Sequence, residues 1–438
     1  MVKPRVLAIA EAANPEWVSV PLVGWSLADA LRDVADVHLV THARNRDAVL
    51  RAGYVEGREV TFIDSDRLAK PLWKLGEALR MGQGKGWTTI QALNALAYPH
   101  FEKLVWRAFG EQITEGRFDI VHRITPLSPT IASPIAGRCA RAGVPFVLGP
   151  LNGGVPWPEG FTSERLRERE VLSYLRSAYR YLPGRNRTLR HASAILAGSR
   201  HTQSEIPERY QDKVVYLPEN AVDPSKFSRL SRPGPKPLRA CFIGRMVPYK
   251  GPDMLLAAAA PLLRSGDMTL EMIGDGPMMK ELRAQVADEA TEAAVTFHGW
   301  LPHGEVERVA GRCHMLTFPS IREFGGGVVL EAMALGLVPM IVDYAGPGEL
   351  VTQGTGIKIP LGPRAAIIKG FRTALKQVAA DPRQLQPMAE AARSRVFDHF
   401  TWQAKARQVA QVYGWAMAPA TARPDPLALR PAPASQAS

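Results

Sequence analysis

Cysteine is scarce: this 438-residue chain has three, Cys139, Cys241 and Cys313. They are odd in number, far apart and in no Cys-x-x-Cys spacing. That excludes a disulfide framework or a cysteine zinc site and predicts free buried thiols in a reducing compartment. His298, His303 and His314 do not share zinc-ligand spacing either. Long apolar runs are also missing, and no stretch approaches the ~20 apolar residues that a membrane-spanning helix needs. The N-terminal apolar run is a strand's length before Glu11 and Asn14 follow, so it does not read as a signal peptide. A cytoplasmic protein is expected. Acidic residues are the minority, 42 against 54 Lys plus Arg, for a net charge of +12. Such a balance favours nucleic acid, anionic lipid or phosphorylated small molecules without choosing among them.

What is present is alternation. Short runs rich in Val, Ile and Leu occur at 5–10, 37–40, 60–63, 119–122, 145–149, 194–198 and 214–217, then at 238–244, 268–274, 294–299, 314–319 and 338–342. Helical patterns separate them. Runs apolar on both faces predict buried parallel strands, and their alternation with helices predicts right-handed βαβ units. Two such series predict an α/β protein of two doubly wound sheets. The expected division is an N-terminal domain over 1–221, a Pro/Gly-rich basic linker over 222–237 and a C-terminal domain over 238–400. A helix over 401–418 is expected to cross back to the first domain, with a disordered tail over 419–438. In open parallel sheets ligands bind beyond the carboxyl ends of the strands, so the chemistry is sought there.

The sequence FIGRMVPYKGPDMLLAA (242–258) places Arg245 just after a strand and Lys250 and Gly251 just before a helix. A guanidinium fork and a mobile ammonium beside a loop–helix junction suit a diphosphate, although either could be an ordinary surface cation. Further on, PSIREFGGGVVLEAMALGLVPMIV (319–342) places Glu323 before Gly325, Gly326 and Gly327, at the start of an apolar helix. Bare glycines there let backbone N–H groups approach an anion, and the helix dipole favours it. The segment lacks the Lys-Ser/Thr ending of a P-loop and the G-x-G-x-x-G spacing. Glu331 follows Glu323 by eight residues, which brings the two carboxylates to one helix start. A carboxylate near a helix start is also favoured for purely structural reasons.

These elements resemble the donor domain of glycosyltransferase family 4. The family's G-R-x(4)-K-G element matches Gly244, Arg245, Lys250 and Gly251, and its E-x7-E element matches Glu323 and Glu331. The runs EMIGDGPMMKELRAQ (271–285) and FHGWLPHGEV (297–306) fit between them. The resemblance implies a GT-B fold, two facing Rossmann-like doubly wound parallel sheets with an interdomain cleft. It implies a retaining transferase that uses a nucleotide sugar as substrate, with no cofactor and no metal. By the same resemblance, Arg245 and Lys250 hold the diphosphate and Glu323 the donor-sugar hydroxyls. Gly326 and Gly327 offer amides, Glu331 holds the ribose, and the base lies near Gly274 and Trp300–Leu301.

On the facing half, RFDIVHRITPLSP (117–129) places His122 at a strand's end, where a lone histidine is often a satisfied structural residue; the resemblance implies instead that it reaches the transferred sugar. The turn-rich GPLNGGVPWP (149–158) either completes a tight turn or offers Asn152, Gly153 and Gly154 to acceptor hydroxyls. The stretch LPENAVDPSKF (217–227) resembles the family's hinge without its usual glycine, and the first loop, NPEWVSVPLVGWSLADAL (14–31), has only Gly24 where the family has a glycine-rich turn. That departure predicts a different acceptor geometry.

Asp64-Ser65-Asp66 imitates a metal-binding D-x-D triplet but is not expected to hold one. Basic stretches with interleaved aromatic and aliphatic residues, 67–80 and 165–191, suit either a solvated helix face or an anionic membrane surface, which would place the protein on the inner face of the plasma membrane. No recognised motif accompanies the charge, so nucleic acid is not an expected partner. A carbohydrate or lipid-linked acceptor is. The competing readings are a sugar-nucleotide epimerase, a phosphorylase and a non-catalytic sugar-binding protein on the same fold.

Overall fold

The computed structural model of the protein describes residues 3–66, 87–162, 164, 184–227 and 230–428. The first half builds β1 (Arg5–Ala10), β2 (Asp36–His42), β3 (Val60–Ile63), β4 (Ile120–Thr125), β5 (Phe146–Leu151), β6 (Ala194–Ala197) and β7 (Val214–Tyr216). The second builds β8 (Leu238–Ile243), β9 (Met268–Ile273), β10 (Val295–Gly299), β11 (Met315–Phe318), β12 (Val338–Asp343) and β13 (Ile357–Pro360). The sheet orders are β3-β2-β1-β4-β5-β6-β7 and β10-β9-β8-β11-β12-β13. Every pairing within them is parallel. Both sheets therefore reverse direction of growth once, between β1 and β4 and between β8 and β11.

The physical reason is visible in β1. Val6, Ala8 and Ala10 enter the apolar layer on one side of the sheet, and Leu7 and Ile9 enter the layer on the other. A strand covered on both faces has no use for polar alternation, and each fully buried aliphatic side chain contributes roughly 1.5–3 kcal/mol. Strand β13 was not expected. Its sequence is IKIP, a four-residue edge strand in which Lys358 and Pro360 interrupt the two isoleucines, so it carries too little apolar signal to be read.

The described residues form two compact units. One takes in those within 1–154, 169–219 and 402–430; the other takes in those within 155–168 and 220–401. The helix Trp402–Met417 supplies Ala406, Val409, Val412, Tyr413 and Ala416 to the first unit's core, in one layer with Trp25 and Leu27. Residues 222–237, expected as an exposed linker, are instead fastened to the second unit. Val222 donates its N–H to the Phe400 carbonyl at 2.8 Å, Phe227 is buried, and Ser231 donates its N–H to Leu335 at 2.8 Å. The few apolar and hydroxyl side chains of a basic, proline-rich stretch are enough to dock it. Residues 419–428, expected as part of a disordered tail, carry a tie to the first unit, with the Arg423 guanidinium donating to the Gln211 carbonyl at 2.9 Å. Residues 429–438 lie outside the described residues.

His122 does not end a strand, as the sequence suggested. It is the third residue of β4 and fully buried. Its Nε2 meets the Gly149 carbonyl at 2.6 Å, and its Nδ1 meets the Tyr413 hydroxyl at 2.7 Å. The ring therefore donates through Nε2 and accepts through Nδ1, as a neutral imidazole. Burial pushes its pKa down to about 4, against the opposing pull of the Gly149 carbonyl. Both ring nitrogens are spent inside the first unit, so this histidine ties helix Trp402–Met417 to the sheet rather than reaching a ligand.

Two outcomes are expected. Tyr413→Phe removes the donor to Nδ1 and leaves a buried acceptor unpaired, at a cost of about 1–3 kcal/mol read from the urea midpoint. Because the folded-state pKa lies below the unfolded value, the contribution of neutral His122 is complete above about pH 6.5 and is lost as pH falls toward 4. The loss, on the order of 3 kcal/mol, is expected to steepen the wild-type decline in stability across that window relative to His122→Gln, measured by denaturant titration at stepped pH.

Candidate donor site

The two strands flanking the second sheet's reversal point carry the two loops of interest. After β8 come Gly244 and Arg245, then a short turn Pro248–Lys250, Gly251 and the helix Pro252–Arg264. After β11 comes the irregular stretch 319–326, then the helix Gly327–Ala334. The loops are stitched through one carbonyl: Tyr249 accepts the Ile321 N–H at 2.9 Å and the Ser320 hydroxyl at 3.4 Å. Their charged residues meet. Lys250 Nζ stands 2.7 Å from Glu323 Oε2, with the side chains 14% and 20% exposed. The ammonium also lies 5.0 Å from the centre of the Phe318 ring. At that exposure, solvent screens the pair only in part, so each group is held in place by the other.

Two glycines are required by the backbone. Gly274, at the end of β9, passes so close to Gly244 that a Cβ there would sit 2.0 Å from the Gly244 carbonyl oxygen. Gly326 has φ 60°, and a Cβ would come within 3.0 Å of Leu350 and 3.3 Å of the Pro347 nitrogen. Gly326 caps the helix Gly327–Ala334, and no side chain caps it. That helix start keeps its amides and positive dipole end for an anion. Gly327 has room, its nearest neighbour on the Cβ side being the Asn220 amide at 3.7 Å. The Glu323 carbonyl accepts the Gly346 N–H at 3.2 Å, which ties the loop to the segment after β12.

Glu331 is one turn into the same helix, with its side chain 38% exposed, and His303 Nε2 lies 3.7 Å from its Oε1. The carboxylate raises the His303 pKa, against burial. Sequence spacing did not reveal His303 as this neighbour, because the contact joins two helices 28 positions apart in the chain. Arg245 is exposed, and no carboxylate among the described residues pairs with it. Trp300 is 76% exposed, beside the Gly274–Gly299 bridge. The structure thus gathers Arg245, Lys250, Glu323, Gly326, Gly327 and Glu331 on two adjacent loops and one helix of the second unit.

It does not free the acceptor-side candidates. Asn152 Nδ2 is hydrogen-bonded to the Glu219 carboxylate, and its Oδ1 accepts the Gly154 N–H at 2.9 Å. Gly153 donates its N–H to Thr202 Oγ1 at 2.9 Å. These groups complete a turn of the first unit, which leaves them little capacity for acceptor hydroxyls. The first loop keeps a glycine-like geometry without a glycine: Ser19 adopts φ 65°, ψ −137°, a conformation that costs most side chains on the order of 1–3 kcal/mol.

Asp64 and Asp66 come together with His42, their ligand atoms all within 4.8 Å. However, His42 Nδ1 accepts the Arg44 N–H at 3.1 Å, so the neutral ring carries its proton on Nε2, which faces Asp66 at 3.4 Å. A metal would need the lone pair of that nitrogen. The stretch 67–80 and residues 165–183 of the second basic stretch lie outside the described residues. Arg185, from the end of that stretch, is buried and donates to the carbonyls of Pro129 at 3.3 Å and Glu205 at 2.9 Å, so it faces inward.

Residues 226–395 match the family described as glycosyl transferases group 1. The chain is 30% identical over 230 residues to a glycogen synthase of Mycobacterium tuberculosis, a match covering 51% of this chain and 55% of that protein. The chain therefore spans about half the length of that relative. It is 27% identical over 287 residues to a 2-deoxystreptamine glucosyltransferase of Streptomyces kanamyceticus, covering 64% and 72% of the two chains. Among solved structures it superposes on Anabaena HepE (Alr3699), crystallised with UDP and glucose, at a TM-score of 0.56 and 17% identity, covering 94% of this chain and 99% of that one. At that identity the likeness concerns the fold. Residues 226–395 thus match the group 1 glycosyl transferases, in a chain that carries the GT-B fold.

Proposed function

We propose that this protein transfers a sugar, with retention at the anomeric carbon and without a metal ion, from a nucleotide-sugar donor to a carbohydrate or lipid-linked acceptor. One observation carries the reading. A cation and a carboxylate stand 2.7 Å apart on the two loops that flank the reversal point of the second sheet, where such sheets bind ligands. The family of the matched region and the UDP and glucose bound by Anabaena HepE support it.

On this reading Arg245 and Lys250 neutralise the diphosphate, and the amides of Gly326 and Gly327 receive its distal phosphate or the sugar. Glu323 accepts the sugar hydroxyls, Glu331 accepts the ribose hydroxyls, and Trp300 and Gly274 border the base. Departure of the diphosphate leaves positive charge on the sugar and adds negative charge to the leaving group. Donors held in place before the reaction stabilise that charge, typically by about 3–4 kcal/mol for a well-placed one. A phosphate oxygen of the leaving group takes the acceptor's proton, so no protein base is needed and His122 has no part in the chemistry. The activity takes place in the cytoplasm. The basic stretches 67–80 and 165–183 are proposed to meet an anionic membrane surface, which would bring a lipid-linked acceptor within reach.

The test is a thermal-shift screen of the full chain against UDP-, GDP-, ADP- and dTDP-sugars, with and without EDTA. One nucleotide class is expected to raise Tm selectively, unchanged by EDTA, since a ligand at 100 times its Kd adds about 2.7 kcal/mol. Lys250→Ala is expected to abolish most of the shift. No shift with any nucleotide sugar, in a folded protein, contradicts the reading. Donor consumed without an acceptor, its sugar epimerised, contradicts the transferase assignment.

A further inference from the structure

The loops that carry Lys250 and Glu323 share a third neighbour. Residues 155–157 precede β6 in the chain but belong to the second unit. Each of the three holds a different loop of that unit. The Val155 carbonyl accepts Arg322 Nε at 3.2 Å, and the Pro156 carbonyl accepts the Tyr344 hydroxyl at 3.1 Å. The Trp157 ring stands edge-on to Tyr249, with centroids 6.2 Å apart and planes at 90°. The Arg322 guanidinium lies 5.0 Å from the Trp157 ring and 5.4 Å from the Phe324 ring, and the residue is only 7% exposed. A guanidinium taken out of water against aromatic faces is held firmly, because the attraction strengthens as solvent is excluded.

The partners of this strap adjoin the donor site in sequence. Tyr249 precedes Lys250, and Arg322 precedes Glu323. Lys250 does not depend on the strap for its place, since it ends a short turn directly ahead of the helix Pro252–Arg264. Glu323 stands in irregular chain, five residues past the end of β11, where no ladder or helix fixes its backbone. Its carboxylate is held by Lys250, and its backbone rests on the neighbouring Arg322 and on the Gly346 N–H. The helix start behind Gly326 has its own anchors in the buried Val329 and Leu330. The strap therefore bears on the carboxylate far more than on the phosphate contacts.

We propose that Trp157 is a positioning residue for the sugar half of the donor: through Arg322 it fixes Glu323 against the sugar hydroxyls and leaves recognition of the diphosphate untouched. This rests on the sugar-contacting role proposed for Glu323.

The experiment compares calorimetric Kd values of the full chain for UDP, GDP, ADP and dTDP with those for the matching nucleotide sugars. It does so in wild type, Trp157→Ala, Trp157→Phe and Arg322→Lys, with kcat and KM measured once a donor is found. Trp157→Ala is expected to bind the nucleoside diphosphate within about twofold of wild type and to lose about tenfold in affinity for the nucleotide sugar or in kcat. Trp157→Phe, which keeps an aromatic face, is expected to recover most of the loss. If Trp157→Ala does not fold, Trp157→Phe and Arg322→Lys carry the same comparison, with a smaller but still sugar-selective loss expected of each. Loss of diphosphate and sugar-nucleotide binding in parallel, no loss of either, or no rescue by phenylalanine overturns the proposal. A wild-type protein that binds no nucleotide overturns the donor-site reading itself, which is a separate and recognisable result.

Discussion

Lys250 and Glu323 face each other at 2.7 Å because two parallel strands lie side by side where the second sheet reverses. β8 and β11 are neighbours in space and about seventy positions apart in sequence. Each ends at the same edge and releases its loop there. A partly desolvated lysine needs an anion, and a partly desolvated glutamate needs donors; removing either would strand the other. The pair also defines what a ligand must bring. A diphosphate can take over the ammonium, and sugar hydroxyls can take over the carboxylate, so on the proposed reading binding exchanges partners instead of exposing charges.

The surrounding backbone makes that exchange geometrically possible. Gly274 lets β9 pass against Gly244, and Gly326 turns the chain into a helix whose first amides have no side-chain cap. Close to this edge the chain is held by carbonyls and aromatic faces more than by ladders: Tyr249 accepts from Ser320 and Ile321, Glu323 accepts from Gly346, and Trp157 packs on Arg322. An irregular loop with several independent tethers can hold one carboxylate steadily while its other face stays open. The first unit is built on the same sheet order, yet the polar groups once expected to serve an acceptor there are consumed by its own turns and by the Tyr413 hydroxyl.

The sheets were legible because strands buried on both faces, such as β1, β4 and β5, have to be largely apolar, and twelve short apolar runs stand clear of their neighbours. β13 was not, since its four residues alternate isoleucine with Lys358 and Pro360 and leave no apolar run. The grouping of the candidate residues was legible because Arg245, Lys250 and Glu323 are charges close to glycines in loops that follow strands, with Glu331 one turn into the next helix, an arrangement packing does not require. For His122, Asn152 and Gly153 the sequence left a structural and a binding role open, for a common reason. Residue type and a nearby strand say that a polar group is available, but only tertiary partners say whether it is already engaged. Those partners, Tyr413, Glu219 and Thr202, lie 291, 67 and 49 positions away. Trp157 and Arg322 were hidden likewise, because their contact joins distant segments and no spacing rule announces it.

On the proposed reading Lys250 and Glu323 act as one unit on a sugar diphosphate. A double-mutant cycle on turnover of the donor, with Lys250→Ala, Glu323→Gln and the pair, tests it most directly. Each single change is expected to lower kcat/KM by at least about a hundredfold, as for removal of one preorganised donor. The double variant is expected to be little worse than the poorer single one, since residues acting as a unit are strongly non-additive. Losses that simply multiply, or single variants that retain wild-type turnover, would contradict it.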